Sequence, residues 1–77
     1  MDGNGYSYGK VIKLESEKGF GFVSPDGVGL PDHFFHRSSV TGRRFHELTE
    51  GRRVTFVATV TDRGARAEDV RLLDDEP

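Results

Sequence analysis

Cysteine is absent from the 77 residues. That excludes disulfide staples, thiolate zinc sites and cysteine nucleophiles together, and it fits a reducing compartment. No stretch approaches the ~20 apolar residues that cross a bilayer. Met1-Asp2-Gly3-Asn4-Gly5 has neither the basic nor the apolar region of a signal peptide, so a soluble, cytoplasmic protein is expected, with no membrane partner. An excess of one charge is also missing: 11 Lys and Arg face 13 Asp and Glu, for a net −2. Bulk electrostatics therefore do not specify a polyanion. Apolar residues make up only 34% of the chain, and a chain this short buries only about 60% of its unfolded surface. One thin-cored domain fits, whereas a deep catalytic cavity does not, and no cofactor or small-molecule substrate is expected.

The distribution of charge says more than its sum. Six acids (Asp2, Glu68, Asp69, Asp74, Asp75 and Glu76) lie at the margins, and Lys10 to Arg66 holds 10 bases against 7 acids. The division expected is a flexible N-terminal extension over 1–7, one domain over 8–73 and an acidic end over 74–77. Within the domain no 3.6-residue apolar repeat is visible, while Gly and Pro punctuate β-branched and aromatic runs. Strands are predicted at Tyr8 to Glu15, Gly19 to Ser24, Asp32 to Arg37, Arg53 to Val60 and Ala65 to Leu73. Pro25-Asp26-Gly27 and Asp62-Arg63-Gly64 form turns, and Ser38 to Gly51 is a polar loop anchored by Phe45 and Leu48. Val11, Ile12 and Leu14 do not alternate cleanly, which leaves the inward face of the first strand open. Five short strands suit a small closed all-β barrel of the OB type, because closure removes exposed edges.

Lys18-Gly19-Phe20-Gly21-Phe22-Val23 is the informative segment. Successive strand side chains point to opposite faces, so Phe20 and Phe22 share one face and the other is nearly bare. The rings either fill the core, with Phe34 and His36 as a second pair of the same kind, or stand in solvent over a core of Val11, Val23, Val54, Phe56 and Val70. In the second arrangement Phe20, Phe22, Phe34 and His36 form a patch on adjacent strands, with Lys13, Lys18 and Arg37 around it. Flat π faces ringed by cations suit unpaired nucleobases on a phosphate backbone, since stacking tolerates any base and basic side chains follow the phosphates.

Lys18 to Val23 and Asp32-His33-Phe34-Phe35-His36-Arg37-Ser38-Ser39-Val40 resemble the two ribonucleoprotein motifs of bacterial cold-shock proteins. Phe45, Leu48, Gly51, Val54, Phe56, Arg63, Gly64, Ala67 and Val70 continue that resemblance in register, over about residues 9 to 72. It implies a five-stranded OB-fold barrel binding single-stranded RNA and DNA with little sequence preference, an RNA chaperone or a regulator of transcription or translation. By position it implies stacking by Phe20, Phe22, Phe34, His36 and Phe45 and a backbone or base contact by Lys18. The chain departs from the family in having Ile12, Lys13 and Leu14 where lysine, tryptophan and phenylalanine are usual, Arg37 for a phenylalanine and Ala65 for a proline. Lys13 and Arg37 are expected to exchange part of the stacking for charge.

Other constellations carry less. His33 and His36 lie three apart on a strand and face opposite ways, which argues against a shared metal ion. Ser38 and Ser39 lack a nucleophile elbow and read as turn-capping residues. Arg43-Arg44 and Arg52-Arg53 are either supplementary phosphate contacts or ordinary surface charge. The expected function is a monomeric single-stranded nucleic-acid binder. A protein-interaction module using the same aromatic face is the alternative, and an enzyme is the most distant reading.

Overall fold

The computed structural model describes residues 5–73; the expectations for 1–4 and 74–77 lie outside them. Five strands, β1 (Tyr6–Glu15), β2 (Phe20–Pro25), β3 (His33–His36), β4 (Arg53–Thr61) and β5 (Gly64–Leu72), close into a barrel in the order β1-β2-β3-β5-β4. Neighbours are antiparallel except β3 and β5, which run parallel with Phe34 opposite Arg66. This is the five-stranded closed barrel expected of the OB type. The long β3–β4 connection carries three short 3-10 turns, Arg37–Ser39, Thr41–Arg43 and Phe45–Glu47.

The core is small, as the composition requires. Val11, Val23, Phe35, Val54, Phe56 and Val70 are wholly buried, and Val40, Leu48, Ala67 and Leu72 complete the cluster. Burying one such side chain contributes roughly 1.5–3 kcal/mol, so ten of them are a modest store. Gly21 is needed here because of space: a Cβ on it would lie 2.6 Å from the Lys13 carbonyl oxygen and 2.9 Å from Phe35 Cζ. The bare face of β2 thus admits the Phe35 ring and brings β1 close.

Three details differ from the sequence reading. β1 begins at Tyr6, so Tyr6 and Ser7, expected in a flexible extension, instead pair with Val57 and Phe56 of β4. Tyr6 is held by distant partners: its hydroxyl donates to Asp69 Oδ2 at 3.0 Å and its ring lies 5.6 Å from the Arg71 guanidinium. Second, the β1–β2 register shifts between Val11 and Lys13. A bulge there adds one residue and resets the parity, so Val11 is buried, Ile12 and Lys13 are exposed and Leu14 packs partly against the core. Third, the alternation of β4 continues past the core: Ala58 and Val60 are exposed because the β4–β5 hairpin extends beyond the barrel wall.

Candidate functional site

The parity of β2 and β3 divides their aromatic residues cleanly. Phe35 and His33 face inward, His33 against the Phe56 ring at 5.5 Å with its Nδ1 2.9 Å from the Pro31 carbonyl oxygen. Phe20, Phe22, Phe34 and His36 face outward and are half-buried. Phe20 lies across from His36 and Phe22 across from Phe34. The three phenyl rings form one cluster, with Phe20–Phe34 centroids at 5.6 Å, Phe22–Phe34 at 5.7 Å and Phe20–Phe22 at 6.3 Å. They support one another edge-on and tilted, and they leave ring surface toward solvent. His36 is oriented by its own turn: Nδ1 accepts from the Ser38 backbone N–H at 3.1 Å and lies 2.9 Å from Ser38 Oγ. The residue that caps the Arg37–Ser39 turn is therefore His36, not Ser38 as the sequence suggested. Ser39 instead donates from Oγ to Glu68 Oε1 at 2.8 Å, tying that turn to β5. With His33 inside and His36 outside, the two imidazoles do not converge.

Cations surround the rings unevenly. Lys13 is directly opposite Phe22 across the β1–β2 pair, and its Nζ is 3.6 Å from Glu15 Oε2. Lys18 stands exposed in the β1–β2 turn. Arg37 follows His36, its backbone N–H donating to the Gly19 carbonyl at 2.8 Å and its side chain lying over Gly19, where a Cβ would come within 3.1 Å of Arg37 Cδ. Gly19 has φ +78°, so it serves both as a turn residue and as the floor under Arg37. Lys18, Arg37, Arg43 and Arg63 have no carboxylate partner among the described residues, whereas Arg44 pairs with Glu47 at 2.9 Å, Arg53 with Asp26 at 2.8 Å and Arg71 with Asp69 at 3.0 Å. Of the four without such a partner, Arg37 and Lys18 flank Gly19 beside Phe20, and Arg63 shares a cleft with Phe22 and Phe34. The Arg43-Arg44 pair is thereby split, one side chain available and one neutralised.

Two clefts bring aromatic and cationic side chains together. One, of about 340 Å³, is lined by Arg37, Arg43, Phe45 and His46. Phe45 is only partly a surface residue, because its ring packs edge-on against buried Phe35 at 6.3 Å. The other, of about 330 Å³, is lined by Phe22, Phe34, Arg63, Ala65 and Arg66. Arg63 and Arg66 were not among the binding residues read from sequence, and Arg43 was read there only as a supplementary phosphate contact or ordinary surface charge. Arg66 reaches the face only because β3 and β5 pair in parallel, and no local pattern reports a contact between residues so far apart in the chain. Its parity, opposite to buried Ala67 on β5, was the one available signal that it points outward.

The ring cluster and its unpaired cations can take flat, unpaired π systems linked by anionic groups. The profile of the "'Cold-shock' DNA-binding domain" family matches residues 7–73. "Cold shock protein ScoF" of Streptomyces coelicolor is 45% identical over 62 residues, covering 80% of this chain and 91% of its own. "Cold shock-like protein CspE" of Bacillus anthracis is 44% identical over 62 residues, covering 80% and 90% respectively. Among solved structures, "drosophila Unr CSD456" superposes with a TM-score of 0.72 at 24% identity. It covers 96% of this chain, which spans 29% of that one, and this likeness concerns the fold alone.

Proposed function

Because the chain belongs to the family of cold-shock DNA-binding domains, we propose that it binds single-stranded RNA and DNA by stacking bases on Phe20, Phe22, Phe34 and His36. Phe45 adds a partly exposed ring. Lys18, Arg37, Arg43 and Arg63 follow the phosphates, and Lys13 joins them when its pair with Glu15 opens. Holding unwound strands in this way makes the protein an RNA chaperone or a regulator of transcription or translation in the cytoplasm, acting as a monomer. The observation that carries this reading is the outward ring cluster with four neighbouring cations that have no carboxylate partner among the described residues.

Charge makes the reading quantitative. If each of the four unpaired cations meets one phosphate, log K should fall with log salt with a slope of about −3, from roughly −0.7 per phosphate on a single strand. Titration of labelled oligothymidine at several salt concentrations measures it, and a flat dependence contradicts the assignment of these cations. With Lys13 in place of the family's tryptophan, binding is also weaker and more salt-dependent than in relatives that keep the ring. The alternative, a protein-interaction module on the same face, predicts no oligonucleotide binding at any salt.

A further inference from the structure

The cleft lined by Phe22, Phe34, Arg63, Ala65 and Arg66 holds two arginines in different states. Arg63 has no ion-pair partner among the described residues. Arg66 is fixed from two sides. Its guanidinium carbon lies 5.2 Å from the Phe34 ring centroid, and its Nε is buried 3.3 Å from Glu68 Oε2, an ion pair without a hydrogen bond. Glu68 is itself held by the Ser39 hydroxyl at 2.8 Å. The relay from Ser39 through Glu68 to Arg66 and Phe34 immobilises a side chain that would otherwise be mobile. Neither Nη1 nor Nη2 has a hydrogen-bond partner among the described residues. Arg66 therefore presents two parallel N–H donors whose ordering cost is already met within the fold.

We infer that Arg66 makes this cleft selective for guanine at one position of the bound strand, while Arg63 holds the adjoining phosphate. This rests on the single-strand-binding reading above. Arg66 covers one face of Phe34, so a base entering the cleft stacks on Phe22 with its edge toward the guanidinium. Guanine presents O6 and N7 side by side and accepts both donors, which is the commonest arginine–base pairing. Adenine places an amino donor beside N7, and thymine and uracil alternate acceptor with donor, so each satisfies one N–H and opposes or wastes the other. Cytosine's adjacent acceptors, N3 and O2, sit beside the sugar, where approach is crowded. A base contact specifies and a phosphate contact positions, and the two arginines divide those tasks.

The test compares oligothymidine with the same strand carrying a single deoxyguanosine or a single deoxyadenosine, each binding constant measured by fluorescence anisotropy on the intact protein. The adenine strand controls for the greater stacking area of a purine. A guanine advantage of roughly tenfold over both is expected, the lower part of the range for a bidentate pair. Arg66→Lys, which keeps the charge but loses the paired donors, should remove that advantage, so that the guanine strand binds no better than the adenine and oligothymidine strands measured on the same variant. Arg63→Ala should weaken all three strands equally and make the salt slope shallower by about 0.7. Equal affinity for the three strands, or a guanine advantage that survives in Arg66→Lys, overturns the inference and leaves single-strand binding standing. Failure of all three strands to bind overturns both.

Discussion

Phe34 and Phe35 are adjacent in β3, identical in chemistry and opposite in orientation, so replacing each with alanine should give opposite outcomes. Phe35 is wholly buried against Gly21 and Phe45; its loss should cost about 3–5 kcal/mol. At roughly 0.05–0.15 kcal/mol per residue, a chain of 77 residues has about 4–12 kcal/mol of total stability, so Phe35→Ala should lose between about a quarter and all of it. Phe34 is half-buried and supports two neighbouring rings and the Arg66 guanidinium. Its removal should cost about 1–2 kcal/mol, from partial burial plus one cation–π contact, and the barrel should persist. Binding should respond the other way round. Loss of one stacking platform is worth about 1–3 kcal/mol, or roughly 5- to 150-fold in affinity. Urea unfolding followed by far-UV circular dichroism measures the first quantity and anisotropy of a labelled oligonucleotide the second. A Phe34→Ala protein that unfolds, or one that folds and binds like the wild type, would refute the reasoning.

Three further outcomes follow from particular contacts. Lys13→Trp restores a ring directly opposite Phe22; anisotropy titrations should show tighter binding by up to about two decades and a salt slope no steeper than before. Gly21→Ala places a methyl group 2.6 Å from the Lys13 carbonyl oxygen and 2.9 Å from Phe35, where the backbone cannot yield cheaply; a loss of about 1–3 kcal/mol of stability, read as a lower urea midpoint, is expected. Asp69 accepts from Thr41 Oγ1, Arg71 and Tyr6, and these contacts, led by Thr41, hold its carboxyl below the ordinary value of 3.8. A lowered folded value means its contribution is complete above the unfolded value and is lost as pH falls through the folded one. Asp69→Asn, at a φ of +50° that asparagine tolerates, should therefore lower Tm at neutral pH, and the gap to the wild type should narrow as pH falls below the ordinary carboxyl value of 3.8, with thermal melts across pH as the check.

Much of the barrel was legible because its strands alternate and its turns are marked. Phe20 and Phe22, separated by Gly21, indicated a one-sided strand, and the Val54–Phe56 alternation located β4. Parity alone left open which face of β2 looked inward; the answer lies in Phe35, whose ring occupies the space that Gly21 vacates. The first strand resisted because a bulge between Val11 and Lys13 breaks the period on which the reading depends. Tyr6 was missed since its partners, Asp69 and Arg71, lie at the other end of the chain. The second cleft was missed for the same reason: the juxtaposition of Phe34 with Arg66 exists only after a parallel pairing between strands distant in sequence. Local patterns specify elements and faces, whereas sites built across the closure of a barrel depend on register.

Backbone amide spectra recorded during titration with short oligothymidine test the central claim most directly. Stacking on the outward rings predicts that the shifts concentrate on β2, β3, the Lys13 region of β1 and the β4–β5 hairpin near Arg63, with the opposite wall around Arg53 and Arg71 unmoved. Shifts confined to that opposite wall, or none at saturating oligonucleotide, would contradict it.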